Sequence, residues 1–216
     1  MKKIMSALCS AALLLAGCAS QPSTSTSSAA AASEEESTNP SSTAAVSTST
    51  DQSDDKILVA YFSATGNTKR VAEDIAEDTG GTLFEITPAK PYTEEDLNFN
   101  EEQSRVVQEY ENPDERDIPL STTTVPDWDS YDIVFLGYPL WWQTAAWPID
   151  HFVQDNDFSD KTVYPFCTSL SSPIAQTADA LEQLTNTGNW QEGQRFSETA
   201  SAEDVQTWIV SLGLEK

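Results

Sequence analysis

Three hydroxyl side chains and one glycine lie within the six-residue segment Ser63–Thr68, which reads Ser-Ala-Thr-Gly-Asn-Thr. The segment separates a short apolar run from a stretch with helical periodicity. A helix N-terminus offers unpaired N–H groups and a partial positive charge, which suit a phosphate. The hydroxyls add donors that can rotate, and Gly66 permits a tight turn close to a ligand. The segment therefore predicts a phosphate-binding loop; the alternative is a well-capped helix start.

Two motifs that are missing from this loop indicate which class of phosphate compound it binds. It contains neither the lysine of a nucleotide-binding P-loop nor the repeated glycines of a dinucleotide-binding turn. A cluster of hydroxyl and amide donors suits a phosphate monoester that is bound without a metal or an arginine.

Two further loops carry side chains suited to binding. Tyr138–Trp142 follows a third apolar run, and Thr168–Ser172 follows a fourth. Trp141 and Trp142 offer flat apolar surfaces on which an aromatic ring can stack. The alternative is that one or both pack into the core, against Trp147 or a neighbouring helix.

These loops need a sheet to bring them together. Apolar runs predict strands at 56–62, 82–87, 133–137 and 162–167, with a weaker strand at 190–196. Helical patterns lie between them, at 69–79, at 147–153, around 174–184 and from Ser201, where Asp204 completes a capping box. The stretch 101–110, with Val106 and Val107, is a further candidate helix. Such alternation predicts an α/β fold with a parallel sheet, whose ligands bind beyond the carboxyl ends of the strands.

The charge of the chain excludes some partners. It carries 11 Lys and Arg against 35 Asp and Glu, a formal net charge of −24. Nucleic acids and anionic lipid surfaces both need clustered cations, so neither is expected to bind directly. The acidic surface serves solubility or, alternatively, docks a cationic partner.

Cysteine and histidine are scarce. Cys9, Cys18 and Cys167 have no spacing typical of a disulfide framework or a zinc site, and His151 is the single histidine. We therefore expect no metal. Cys167 is predicted to be a buried inert thiol, and His151 a surface or helix-packing residue. Ser63 has no evident base, so a hydrolase is poorly supported and no catalytic side chain is assigned.

The N-terminus is predicted to be an export signal. Two lysines precede an apolar run at 4–15, which ends in Leu-Ala-Gly-Cys18. This resembles a bacterial lipoprotein signal, which implies a signal peptide at 1–17 and a lipidated Cys18 carrying acyl chains such as palmitate. An ordinary signal peptide is the alternative. Residues 18–55, rich in Ser, Thr and Ala, are predicted to be a disordered tether, and 56–216 the folded domain. The protein would then be extracytoplasmic, with the lipid as its only membrane contact.

Four segments carry a resemblance to the flavodoxin-like family, in the family's order. They are 59–68, 84–88, 135–142 with its paired tryptophans, and 161–169. The resemblance implies a three-layer fold, with a five-stranded parallel sheet in the order 2-1-3-4-5 and helices on both faces. It also implies noncovalent FMN. The residues that the resemblance implies for the phosphate are Ser63, Thr65, Gly66, Asn67 and Thr68. Those that it implies on either side of the flavin ring are Pro139, Leu140, Trp141 and Trp142. A second flavin loop would begin with Thr168 and Ser169.

The resemblance implies electron transfer with a redox partner, or oxidation and reduction of a small quinone-like substrate. One segment departs from the family pattern: this branch has glycines after the fourth strand, whereas Leu170–Pro173 contains none. This departure leaves an alternative, a non-enzymatic surface lipoprotein that keeps the fold but binds FMN weakly or not at all.

Overall fold

A mostly parallel sheet forms the centre of residues 55–216, the part of the chain described by the computed structural model. Cys18, the predicted signal peptide and the tether up to residue 54 lie outside the described residues. The strands are β1 (Ile57–Tyr61), β2 (Thr82–Glu85), β3 (Ile133–Trp141), β4 (Thr144–Ala145), β5 (Thr162–Thr168), β6 (Asn189–Trp190) and β7 (Gln194–Phe196).

The order along the sheet is β2-β1-β3-β5-β6, and all of these pairs are parallel. The predicted α/β class is confirmed, and the main strands follow one another as expected. The strand count differs from the predicted five for two reasons. β4 forms an antiparallel hairpin with the end of β3, and the last position is shared by β6 and β7, which both pair with β5.

Pro165 accounts for the division of the last strand. The backbone N–H groups of Asn189 and Gln191 donate to the carbonyls of Lys161 and Val163, at 2.9 Å each. Pro165 lies two residues beyond Val163, just as Val163 lies two residues beyond Lys161. Its backbone nitrogen therefore faces the same neighbouring strand as those carbonyls, but it has no hydrogen to donate. The backbone also approaches closely here, since a Cβ atom on Gly193 would lie 2.8 Å from the Pro165 carbonyl oxygen. Pairing therefore stops after β6 and resumes at β7.

Helices cover both faces of the sheet. They are α1 (Asn67–Thr79), α2 (Arg105–Glu111), α3 (Pro148–Asp155), α4 (Ala175–Thr185) and α5 (Ala202–Leu212). One core cluster joins α1 and α5 to Val59 and Phe135 of the sheet, and the other joins α2, α3 and α4 to Leu58 and Val134. Neighbouring strand residues thus enter opposite cores, which explains why β1 and β3 are continuous apolar runs.

The helix ends follow local signals in the sequence. Gly80 ends α1 in the left-handed conformation, with φ of 73°. The predicted capping box is present at α5: the Asp204 N–H donates to Ser201 Oγ at 3.2 Å, and the Ser201 N–H donates to the Asp204 carboxylate at 2.8 Å. Within residues 55–216, no helix combines the length and the apolar character needed to cross a bilayer.

Candidate functional site

A cleft opens at the carboxyl ends of β1, β3 and β5, where the three predicted loops meet. Its volume is about 230 Å³, below the roughly 300–1,000 Å³ of pockets that enclose most of a ligand. An organic ligand bound here would remain partly exposed. The residues lining the cleft are Ala64, Thr65, Asn67, Leu97, Phe99, Pro139, Leu140, Trp141, Thr168, Ser169, Leu170 and Glu198.

The hydroxyl loop between β1 and α1 presents free backbone donors. Ser63 Oγ accepts a hydrogen bond from the Gly66 N–H at 3.1 Å, which closes the turn. Gly66 precedes α1 with φ of 91°, a conformation that favours glycine. The backbone N–H groups of Asn67, Thr68 and Lys69 have no acceptor within residues 55–216. Free N–H groups at the start of a 13-residue helix fit a phosphate.

Thr68, which the resemblance implies as a phosphate ligand, does not line the cleft. Its side chain is 1% exposed, and its hydroxyl lies 2.8 Å from the hydroxyl of Thr168. The Thr68 hydroxyl therefore joins the start of α1 to the last residue of β5 and does not line the cleft. Of the predicted phosphate residues, Thr65 and Asn67 are the ones that line the cleft.

The paired tryptophans have separate environments. Trp141 is 3% exposed and packs edge-on against Phe62 and Tyr92, with ring centroids 5.7 and 5.1 Å away. It lines the cleft from the core. Trp142 is turned onto Tyr110, with nearly parallel rings 4.2 Å apart, and is not among the described residues that line the cleft.

The turn between β3 and β4 explains this separation. Trp142 and Gln143 form its two central positions, and both have positive φ, 45° and 68°. Positive φ at both positions is typical of a tight hairpin turn that prefers Asn-Gly. Trp-Gln is therefore a strained choice. In this conformation Trp142 gains the stack on Tyr110.

The loop after β5 is held in place without glycine. Ser169 Oγ donates to the Ser172 carbonyl at 2.6 Å, the Ser169 N–H donates to the Phe196 carbonyl at 3.1 Å, and Arg195 donates to the Ser169 carbonyl at 2.8 Å. The Ser169 hydroxyl is therefore engaged within the loop. Leu170, which is 79% exposed, projects at the rim of the cleft.

Sequence reasoning missed the part of the wall supplied by Leu97 and Phe99. They belong to the polar segment 92–126, whose pattern carried no signal of a binding site. Behind them, Tyr92 donates to Glu109 at 2.7 Å, and Arg105 pairs with the same carboxylate at 2.6 Å. Burial, together with this hydrogen bond, raises the pKa of Tyr92. The network supports Trp141 from behind, since Tyr92 packs against its ring.

The titratable groups singled out in the sequence lie outside the lining of the cleft. Cys167 is fully buried, as predicted, and burial raises the pKa of its thiol to about 12, so the thiol stays protonated at neutral pH. His151 is partly buried on α3 and pairs with Asp117. Among residues 55–216, no group of side chains is arranged to hold a metal ion.

Asp150 provides a prediction about stability. Burial raises the pKa of its carboxyl to about 6, against the opposing effects of His151 and Arg116. A raised folded-state pKa means that this group stabilises the fold below its ordinary value of 3.8 and loses that contribution as pH rises through about 6. We expect Asp150→Asn to match the parent at pH 3 and to exceed it at pH 7.5 by about 1 to 3 kcal/mol. Thermal unfolding at the two pH values checks this, and an equal difference at both would contradict it.

The comparisons agree with this architecture. A family model described as Flavodoxin matches residues 56–212. A structure of a candidate flavoprotein from Bacteroides eggerthii is 38% identical, with a TM-score of 0.65, covering 74% of this chain and 99% of that one. A candidate flavoprotein from Bacteroides uniformis is 39% identical, also with a TM-score of 0.65, covering 72% and 98%. A flavoprotein from Lactobacillus acidophilus, solved in complex with FMN, is 22% identical with a TM-score of 0.50, covering 65% and 93%. No curated protein matches the chain.

The chain belongs to the flavodoxin family, since the family model spans most of it. Nearly the full length of each Bacteroides protein corresponds to part of this chain.

Proposed function

We propose that this protein binds FMN noncovalently in the cleft and acts in electron transfer or in the oxidation and reduction of a small quinone-like molecule. One observation carries the proposal: α1 begins, with its free N–H groups, at Asn67, which lines the same cleft as Trp141. A phosphate monoester and a flat ring, the two ends of FMN, each find matching chemistry there. Membership of the flavodoxin family and the Lactobacillus complex with FMN support the same ligand.

The roles of the residues follow from their positions. The N–H groups of Asn67, Thr68 and Lys69, with the side chains of Thr65 and Asn67, would hold the phosphate. Pro139, Leu140 and Trp141 would flank the ring, and Leu97 and Phe99 would exclude water from its edge. The flavin, when bound, supplies the transfer of one or two electrons, while the protein sets its binding and potential.

The proposal includes an extracytoplasmic location. The Leu-Ala-Gly-Cys18 pattern supports lipidation at Cys18, with the Ser- and Thr-rich segment as a tether. Two or more acyl chains are what a stable anchor requires. Replacing Cys18 by serine and following radioactive palmitate incorporation and membrane fractionation in cells tests this part separately.

A visible absorption spectrum of purified residues 51–216, before and after addition of FMN, tests the cofactor. We expect flavin bands in the purified protein, or saturable quenching of FMN fluorescence on titration with the protein. A folded protein that carries no flavin and binds none would contradict the proposal. That outcome would favour a surface lipoprotein without cofactor, the second candidate function, which the glycine-free loop at Leu170–Pro173 supports.

Glu198 leads to a prediction about potential. It is an exposed carboxylate at the rim of the cleft, and a negative charge opposes the formation of an anionic reduced flavin. We expect Glu198→Gln to raise the one-electron potential for forming this anionic reduced FMN by about 20 mV, as for a solvent-screened charge at roughly 10 Å. Spectroelectrochemistry at low salt measures the shift. Glu203→Gln, at an exposed position on α5, is the matched control, and an equal shift there would contradict a local effect.

A further inference from the structure

One arginine contacts the glycine-free loop that follows β5. Arg195 is half-buried on β7, where it lies in register with Cys167 of β5. Its terminal nitrogen Nη1 donates to the Ser169 carbonyl at 2.8 Å. Because β7 resumes the pairing that Pro165 interrupts, the resumed strand brings Arg195 beside the loop.

Arg195 has no acidic partner in the structure. No ion pair within residues 55–216 includes it, although the chain carries 35 Asp and Glu against 11 Lys and Arg. Among the described residues, the Ser169 carbonyl is the acceptor that its guanidinium reaches. The rigid fork of donors on a guanidinium holds an acceptor in a defined direction. The contact of this side chain is therefore with the backbone of the loop.

Ser169 has all three of its polar groups engaged. Its N–H donates to the Phe196 carbonyl at 3.1 Å, and its hydroxyl donates to the Ser172 carbonyl at 2.6 Å. Its own carbonyl accepts from Arg195. These contacts fix the orientation of the peptide group that joins Ser169 to Leu170.

That orientation determines the direction of the Leu170 N–H. The Ser169 carbonyl and the Leu170 N–H belong to one planar trans peptide group, so they point in opposite directions. The Leu170 N–H therefore points away from Arg195, and it has no acceptor within residues 55–216. Ser169 and Leu170 line the cleft, whereas Arg195 does not.

We propose that Arg195 is a positioning residue for the flavin ring. By holding the Ser169 carbonyl, it directs the Leu170 N–H into the cleft as a hydrogen-bond donor to a carbonyl oxygen or nitrogen of the ring. The loop needs no glycine for this, because the direction of the peptide group is set from β7. The proposal rests on the proposed function, which supplies the acceptor. The phosphate already has the free N–H groups at the start of α1.

NMR of purified residues 51–216, labelled with nitrogen-15 leucine, tests the proposal. Quenching of FMN fluorescence first shows whether the protein binds FMN, and Leu170→Ile assigns the Leu170 signal by removing it. We expect saturating FMN to slow the exchange of the Leu170 N–H with solvent about tenfold, because a donated hydrogen is protected.

Three variants separate positioning from charge and from folding. Arg195→Met removes the donor at similar length and is expected to bind FMN about tenfold more weakly, with the Leu170 N–H unprotected even at saturation. The phosphorus NMR signal of bound FMN should keep its position, because the phosphate end is unchanged. Arg195→Lys keeps one donor and is expected to recover most of the protection. Lys56→Met removes an exposed cation at the other end of β1 and is expected to behave as the parent.

Circular dichroism shows whether each variant is folded, and Arg195→Gln replaces Arg195→Met if the latter is not. A parent protein that binds no FMN would overturn the proposed function and this proposal with it. With FMN bound, three results would overturn this proposal alone. They are an unprotected Leu170 N–H in the parent, full protection in the folded variant that lacks Arg195, and a displaced phosphorus signal in that variant.

Discussion

Replacing Thr65 by aspartate is expected to weaken FMN binding about a hundredfold, equal to about 2.7 kcal/mol. Thr65 is exposed and lines the cleft beside the free N–H groups of α1. A carboxylate there would lie against the phosphate dianion, and two charges about 5 Å apart at a protein surface repel by several kcal/mol before salt screening. FMN titration by fluorescence quenching measures the effect.

Two control variants separate the effect of the added charge from the effect of a changed loop structure. Thr65→Ser keeps the hydroxyl and is expected to bind FMN within about threefold of the parent, a difference of less than 1 kcal/mol. Thr124→Asp adds the same charge at an exposed threonine away from the cleft and is expected to leave binding unchanged. The loss in Thr65→Asp should also shrink as salt is added, because salt screens surface charges. Equal losses in both aspartate variants would contradict the phosphate role of this loop.

The paired tryptophans are expected to differ sharply in their effect on stability. Trp141→Ala should lower the free energy of unfolding by about 3 to 5 kcal/mol, because it removes a buried ring and leaves a cavity. Trp142→Ala should cost only about 1 kcal/mol, since it mainly removes the stack on Tyr110. Urea unfolding of residues 51–216, followed by circular dichroism without FMN, compares the two.

Trp142→Phe is the matched control for the stack, because it retains an aromatic ring against Tyr110. It is expected to recover most of the small loss seen in Trp142→Ala. A larger destabilisation from Trp142→Ala than from Trp141→Ala would contradict the assignment of Trp141 to the core. Measured with FMN present, Trp141→Ala should additionally lose the stabilisation that the bound flavin provides.

The sequence by itself determined the class of fold and the position of the hydroxyl loop. Continuous apolar runs such as β1 and β3 occur when both faces of a strand are buried, and the capping box at Ser201 and the glycine stop at Gly80 are local signals. Each depends on residues near one another in the chain, so each could be predicted without the fold. Pro165 also lies within the predicted strand 162–167, where a residue without an N–H group is unfavourable, but the break between β6 and β7 that results depends on the neighbouring strand.

Only the tertiary structure decided what surrounds the loop. Thr68 and Thr168 are a hundred residues apart, and their hydroxyl contact depends on β1 and β5 lying on either side of β3. Trp141 and Trp142 are adjacent in the chain, but the strained turn directs one into the core and the other onto Tyr110. Leu97 and Phe99 come from a segment without periodicity, and that segment reaches the cleft by packing Tyr92 and Phe99 against Trp141 at the end of β3. The free N–H groups of the hydroxyl loop were predictable because they follow from the local start of a helix. The aromatic wall of the cleft was only partly predictable, because long-range packing of this kind leaves no local pattern in the sequence.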